Sequence, residues 1–273
     1  MSDETIQNQH TAHAATAGDA YEPLTGRWSR QIAPAFVTWL DVAGGARWLD
    51  VGCGTGALIQ AVLDTENPAE VIGVDPSSSF IAYARRQIPD PRVRYEVGDA
   101  RDLPVASNQY NAVIAGLVLN HIAEPDLPAA VSEMARAARG GGVVGAYVWD
   151  YGEGMEPRAQ FWEAATTLDP SAAAHDERTR YAICRPDALQ SLFERARLNA
   201  VETTAFEITA RFESFDDYWN PFLAGYGIAS TYLLGLAGNQ RDALRNHLRQ
   251  TLPLSNDGTV PLNIRAWGVQ GVK

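Results

Sequence analysis

Lysine is nearly absent from these 273 residues: Lys273 is the only one, and every other basic residue is arginine. Positive charge is in deficit overall, with 22 basic against 33 acidic side chains and a net charge of −11. A nucleic-acid binder needs a dominant basic face, so this balance argues against one. Cysteine occurs twice, at Cys53 and Cys184, one in a glycine loop and one far downstream. That excludes a disulfide framework and a cysteine zinc site, and a reducing cytoplasm is the expected setting. No run of eighteen or more apolar residues exists, so no membrane span is expected. The first twenty residues lack the charged-then-apolar layout of a signal peptide and read as a disordered leader. The alanine-rich, arginine-for-lysine usage reads as the codon bias of a GC-rich bacterial genome.

What is present is ordinary globular material, 46% hydrophobic and 20% charged, enough for one large α/β domain or one domain with an insertion. Apolar residues recur at helical spacing over 21–40 (Ile32, Phe36, Val37, Leu40), and Gly44-Gly45 ends the segment. Short strand-like runs then alternate with helical ones. Strands are expected at 47–51, 70–74, 93–97, 110–115 and 143–149, and helices from 57, over 77–87 and over 127–139, the last ended by Gly140-Gly141-Gly142. This rhythm predicts a mostly parallel sheet with helices on both faces. Past Asp150 the rhythm changes. Helices are expected at 157–168 and 186–196, a strand at 201–212, an aromatic-rich stretch at 215–222, a largely helical run at 228–251 and a final strand at 263–269. The organisation expected is one domain over 21–273. It comprises a helical lid (21–45), a ligand-binding core (46–150), a partly substrate-facing insertion (151–235) and a closing helix and strand (236–273).

The chemistry concentrates in Trp48-Leu49-Asp50-Val51-Gly52-Cys53-Gly54-Thr55-Gly56, a strand running into a glycine turn and then a helix. Glycine permits the tight turn and close backbone approach to a ligand, and the helix start offers free amides. The spacing is G-x-G-x-G rather than the G-x-G-x-x-G of dinucleotide enzymes. Asp50, two residues before the first glycine, suits a cationic amine better than a pyrophosphate. Asp75, followed by Pro76, ends the second strand and can accept both hydroxyls of a ribose. Asp99 and Ala100 end the third strand, where a carboxylate and a backbone amide can read an adenine edge.

Together these segments resemble the class I S-adenosylmethionine-dependent methyltransferases, in the branch of small-molecule and ubiquinone/menaquinone-biosynthesis-like enzymes. The resemblance covers roughly residues 21–150. It implies that Asp50, Gly52, Cys53, Gly54 and Gly56 form the glycine motif, with Asp75 on the ribose side and Asp99 on the adenine side. Ala115-Gly116-Leu117-Val118-Leu119-Asn120-His121 forms the exit of strand four, with Leu117 against the cofactor. It implies a seven-stranded Rossmann-like sheet with its last strand antiparallel, S-adenosylmethionine as cofactor and S-adenosylhomocysteine as product. The activity implied is methyl transfer to oxygen, nitrogen or carbon of a small, apolar or aromatic molecule. Tyr21, Trp28 and Arg30 would fold over the cofactor as a lid or cap the sheet edge. His121 would serve as base or merely pack. Asn120, Trp149, Tyr151, Trp162, Tyr218 and Trp219 are candidate acceptor contacts, against simple core packing for the aromatic ones. The alternatives are a non-catalytic protein binding the same cofactor and a nicotinamide-dependent oxidoreductase, which the glycine spacing disfavours. No metal ligand set is expected.

Overall fold

A computed structural model describes residues 26–176, 178, 181–225 and 227–273; the leader (1–20), Tyr21 and the start of the expected lid lie outside the described residues. The chain divides into two compact units. The first comprises residues up to Val148 together with Arg185–Phe206 and Trp267–Lys273; the second comprises Trp149–Cys184 and Glu207–Ala266.

In the first unit, α1 (Arg27–Trp39) buries Trp28, Ser29, Ile32, Ala33, Phe36 and Val37, one face at helical spacing. Pro34 sits inside it, where it removes a backbone donor. There follow β1 (Arg47–Val51), α2 (Ala57–Thr65), β2 (Glu70–Asp75), α3 (Ser78–Gln87), β3 (Val93–Val97), β4 (Tyr110–Gly116), α4 (Leu127–Ala137), β5 (Ala138–Trp149), α6 (Pro186–Arg195), β6 (Asn199–Phe212) and β7 (Val260–Val272). Ser77 caps α3 by accepting the Phe80 N–H at 3.3 Å.

The sheet order is β3-β2-β1-β4-β5-β7-β6. β1 pairs in parallel with β2 and β4, β2 with β3, and β4 with β5. Backbone bonds from Gly141 N–H to Lys273 O (3.0 Å) and from Lys273 N–H to Gly142 O (3.0 Å) run β7 antiparallel to β5, as expected for this fold. The order reverses direction at β1, so the crevice beyond the carboxyl ends of β1 and β4 is the position where open α/β sheets bind ligands. β1 is almost wholly enclosed: Trp48, Leu49 and Val51 are buried, and burying each such side chain contributes about 1.5–3 kcal/mol.

The glycine run after α4 behaves differently from the expected helix stop. It lies within β5, which starts at Ala138 opposite Tyr110, and the register shifts before Ala112 meets Val143. Gly141 takes φ +73°, and a Cβ on Gly142 would stand 2.9 Å from Arg139 O and 3.0 Å from Tyr110 O. The run therefore forms a bulge at the strand's entry, in which Gly141 by its φ and Gly142 by its close backbone neighbours resist a side chain.

The second unit carries α5 (Glu156–Leu168), α7 (Phe215–Trp219), α8 (Ile228–Gly235) and α9 (Gly238–Thr251), together with stretches of β6 and β7. The helical run expected over 228–251 is broken at Leu236-Ala237, both extended, where Gln240 accepts the Ala237 N–H at 3.0 Å to start α9. Its core is aromatic: Phe161 stacks on Phe222 (4.7 Å between centroids) and meets Trp162 edge-on (5.1 Å). No helix among the described residues is long and apolar enough to cross a membrane.

Candidate active site

Asp50 stands in the middle strand of the parallel sheet, opposite Gly73 of β2 and Ile114 of β4. Its side chain is 1% exposed, and neither carboxylate oxygen has a hydrogen-bond partner. Burial, and secondarily the charge of Asp75, pushes its pKa up to about 8. A buried carboxylate with no partner is expensive, and the chain as it stands offers nothing to offset the cost.

The turn above Asp50 is built for close approach. Gly52 N–H (2.7 Å) and Cys53 N–H (3.0 Å) both donate to Val74 O, which folds the loop back over β2. Gly52 takes φ +71°, and a Cβ there would collide with the methyls of Val118. Gly56 takes φ +89° as the residue before α2, with Ile88 Cδ1 2.6 Å from where its Cβ would be. Cys53 is buried, and a Cβ on Gly73 would come within 2.9 Å of its Sγ, so the thiol fills the space that Gly73 leaves. Burial pushes its pKa up, which makes it a packing group rather than a nucleophile.

Asp75 ends β2 and bridges loop and helix: one oxygen accepts the Gly54 N–H (2.9 Å), the other the Ser77 N–H (2.8 Å). Burial raises its pKa, and these two backbone donors act the other way. Each oxygen keeps a lone pair for a ligand hydroxyl. Pro76 beside it is exposed and Thr55 buried. Asp99 is engaged differently. Its carboxylate accepts the backbone N–H (2.8 Å) and the guanidinium (2.9 and 2.6 Å) of Arg101, which also reaches Asp126 at 2.8 Å. Arg101 holds the Asp99 pKa down at about 2. Ala100, next to it, is half-buried.

At the exit of β4, Leu117 is buried and takes φ +60°, a left-handed conformation costly for a branched residue, held by its N–H to Tyr147 O at 2.8 Å. Asn120 is buried and its Oδ1 has no partner. His121 is exposed at its surface, yet desolvation by the surrounding protein lowers its pKa below the ordinary histidine value. Its imidazole is therefore neutral near pH 7 and able to take a proton.

The cleft at Asp50 is lined by Gly52, Gly54 and Thr55, by Gly116 of the β4 exit, and also by Ser29 and Tyr147, which belong to no motif named from the sequence. Ser29 Oγ and the Tyr147 hydroxyl share a buried hydrogen bond of 2.8 Å. Tyr147 was reachable from sequence, because it lies toward the carboxyl end of the strand expected over 143–149. Ser29 was not, because nothing local separates it from other helical serines. Trp28 is buried, with the Arg27 guanidinium 4.2 Å above its ring.

The remaining aromatic candidates belong to the second unit. Trp149, Trp162, Tyr218 and Trp219 are all buried. Trp162 packs on Tyr232 (5.4 Å), Tyr218 donates its hydroxyl to Pro157 O (2.9 Å), and Trp219 stacks on Phe215 (6.3 Å). Tyr151 keeps a partly exposed ring, 4.8 Å from Tyr181.

These features agree with comparisons to known proteins. Residues 49–142 match the family profile described as a methyltransferase domain. The chain is 32% identical over 118 residues to the demethylmenaquinone methyltransferase of Renibacterium salmoninarum, covering 43% of this chain and 46% of that one. It is 33% identical over 116 residues to the fatty-acid O-methyltransferase of Mycolicibacterium smegmatis, covering 42% and 41%. The matches thus span less than half the length of these curated relatives. Among solved structures, Haemonchus contortus phosphoethanolamine N-methyltransferase 2, in complex with S-adenosyl-L-methionine, aligns with a TM-score of 0.58 at 20% identity, over 95% of this chain and 57% of that chain. The YcgJ protein of Bacillus subtilis aligns at 0.56 and 17% identity, over 89% and 98%. The fold is that of the class I S-adenosylmethionine-dependent methyltransferases, and the matched stretch spans the glycine loop, Asp75, Asp99 and the β4 exit.

Proposed function

We propose that the chain transfers a methyl group from S-adenosylmethionine to a small, apolar or aromatic molecule. The observation that carries this reading is the Asp50 carboxylate, buried without a partner below a glycine turn at the switch point of the sheet. A primary ammonium would supply the missing counter-charge and donors. Asp75 would accept the ribose hydroxyls on its remaining lone pairs, while the glycine backbone admits the ligand closely. Asp99 and Ala100 would read the adenine, with Asp99 held in place by Arg101. Leu117 would bear on the cofactor from the β4 side and Trp28 from the α1 side.

S-adenosylmethionine, when bound, supplies a sulfonium methyl already activated toward nucleophiles. The chain's task is then to align the acceptor and exclude water. His121 would take the proton that the acceptor releases, since its imidazole is neutral at working pH. Trp149, Trp162, Tyr218 and Trp219, all enclosed, would act through packing within the second unit, where Tyr151 keeps a partly exposed ring. The names of the relatives, a quinone-precursor enzyme and a fatty-acid enzyme, support an apolar acceptor. The acidic balance supports a small-molecule partner rather than nucleic acid, and bacterial relatives and two free thiols support a bacterial cytoplasmic setting.

Isothermal titration with S-adenosylhomocysteine and with NADH tests the reading. The expected outcome is preference for the former, weakened by about 1.5–3 kcal/mol in Asp75→Ala as charge-assisted hydrogen bonds are lost. Preference for NADH, or no binding of either, overturns it.

A further inference from the structure

The exit of β4 concentrates two local costs beside the glycine loop. Leu117 holds φ +60°, a conformation costly in a residue with a side chain. Three residues on, Asn120 is 7% exposed and its Oδ1 accepts no hydrogen bond, a second cost. Between them, Val118 lies against the α-carbon of Gly52, so this turn borders the cofactor loop. A purely structural asparagine turns its oxygen onto a backbone N–H, as Asp75 does with Gly54 and Ser77. The Asn120 oxygen has no such donor. Asp50 and Asp75 flank the loop, and the Arg30 guanidinium is engaged on its Thr55 carbonyl at 3.4 Å.

We propose that Asn120 Oδ1 accepts the hydrogen bond of the methyl acceptor's hydroxyl, so that the acceptor is a neutral alcohol or phenol and not a carboxylate. This rests on the methyltransferase reading and deepens it. With its oxygen toward the acceptor the amide takes a hydrogen bond from a hydroxyl, whereas a carboxylate would meet that oxygen lone pair to lone pair unless the amide turned its NH2 there instead. A hydroxyl supplies the missing donor and has its own lone pairs directed by that bond. As its oxygen bonds to the methyl carbon, the carbon–sulfur bond breaks with its electron pair going to sulfur. The hydroxyl proton passes to a ring nitrogen of the exposed His121 and from there to solvent.

The test uses a matched pair of aromatic probes, 2-naphthol and 2-naphthoate, titrated calorimetrically into the full chain saturated with S-adenosylhomocysteine. The expected result is naphthol binding at least about tenfold tighter than naphthoate, the equivalent of one well-made hydrogen bond. Asn120→Leu should lose about tenfold in naphthol affinity with S-adenosylhomocysteine affinity unchanged. Naphthoate binding as well as naphthol overturns the proposal, as does no binding of either probe or an indifferent Asn120→Leu. Loss of S-adenosylhomocysteine affinity in Asn120→Leu also overturns it, by making Asn120 a scaffold residue. Failure of the wild type to bind S-adenosylhomocysteine is a different result, which sinks the methyltransferase reading itself.

Discussion

Asp50 in the first unit and Tyr218 in the second are both titratable and both buried, yet they stand in opposite circumstances. Tyr218 donates its hydroxyl to Pro157 O and packs edge-on against Phe212 (5.4 Å). Asp50 touches no donor at all. The same contrast separates Asn120 from the enclosed Trp162, which has two aromatic neighbours within 5.4 Å. Burial alone therefore does not distinguish a site from a core. Of these buried polar groups, the one left unsatisfied in mid-sheet stands below the glycine turn, whereas the satisfied Tyr218 hydroxyl ties the second unit together.

The comparison is open to experiment. The largest effect is expected where the second unit is hollowed. Phe161→Ala, at a fully buried ring, should cost about 3–5 kcal/mol in denaturant unfolding. It should leave S-adenosylhomocysteine affinity intact in the folded fraction, and a folded variant that fails to bind would break the division between core and site. Gly52→Val should come next, at about 2–4 kcal/mol, because a β-branched side chain at φ +71° is strained and strikes Val118. Here binding should be lost together with stability.

Asp50→Asn sharpens the contrast most, because stability and binding should move in opposite directions. The folded chain holds the Asp50 proton more tightly than the unfolded chain does, with a pKa of about 8 against an ordinary carboxylate value. The penalty is therefore absent in acid and grows as pH rises from the ordinary value toward 8. Asp50→Asn should leave stability unchanged at pH 4 and raise it by roughly 2–4 kcal/mol at pH 8, while abolishing tight S-adenosylhomocysteine binding. For the wild type, an ammonium ligand needs the ionised form. Binding should strengthen as pH rises toward 8 and release a proton, seen as a buffer-dependent calorimetric enthalpy. The smallest effect belongs to Arg101→Ala. Its ion pairs are half-exposed, so unfolding should change by less than about 1 kcal/mol, while the Asp99 pKa followed by NMR rises toward its ordinary value.

Much of the first unit was legible residue by residue. β1, with bounds 47–51, and β3, with bounds 93–97, fall where apolar runs end in glycine or acid, and α4 stops two residues before the expected end. Strands and helices of this kind are written in local periodicity, which a sequence carries directly. The glycine bulge of β5 was not, because a bulge is a relation between two strands and depends on where Tyr110 pairs. Nor was the break between α8 and α9, where Ala237 turns extended and the Gln240 side chain restarts the helix. The aromatic residues past 149 were named as candidate acceptor walls or core. Their spacing could not separate the two, since a ring facing a ligand and a ring facing another ring obey the same periodicity.

The sequence by itself determined the alternation of strands and helices, the glycine turn after β1, and the acids at the ends of β1, β2 and β3. Each of these is a matter of neighbours along the chain. Tertiary structure decided which of the acids are satisfied: Asp75 by Gly54 and Ser77, Asp99 by Arg101, and Asp50 by nothing. It also joined Ser29 to Tyr147, 118 positions apart, and set Val118 against Gly52. Hydrogen-bond satisfaction and desolvation depend on which distant segments converge in space, and spacing along a single chain does not encode that.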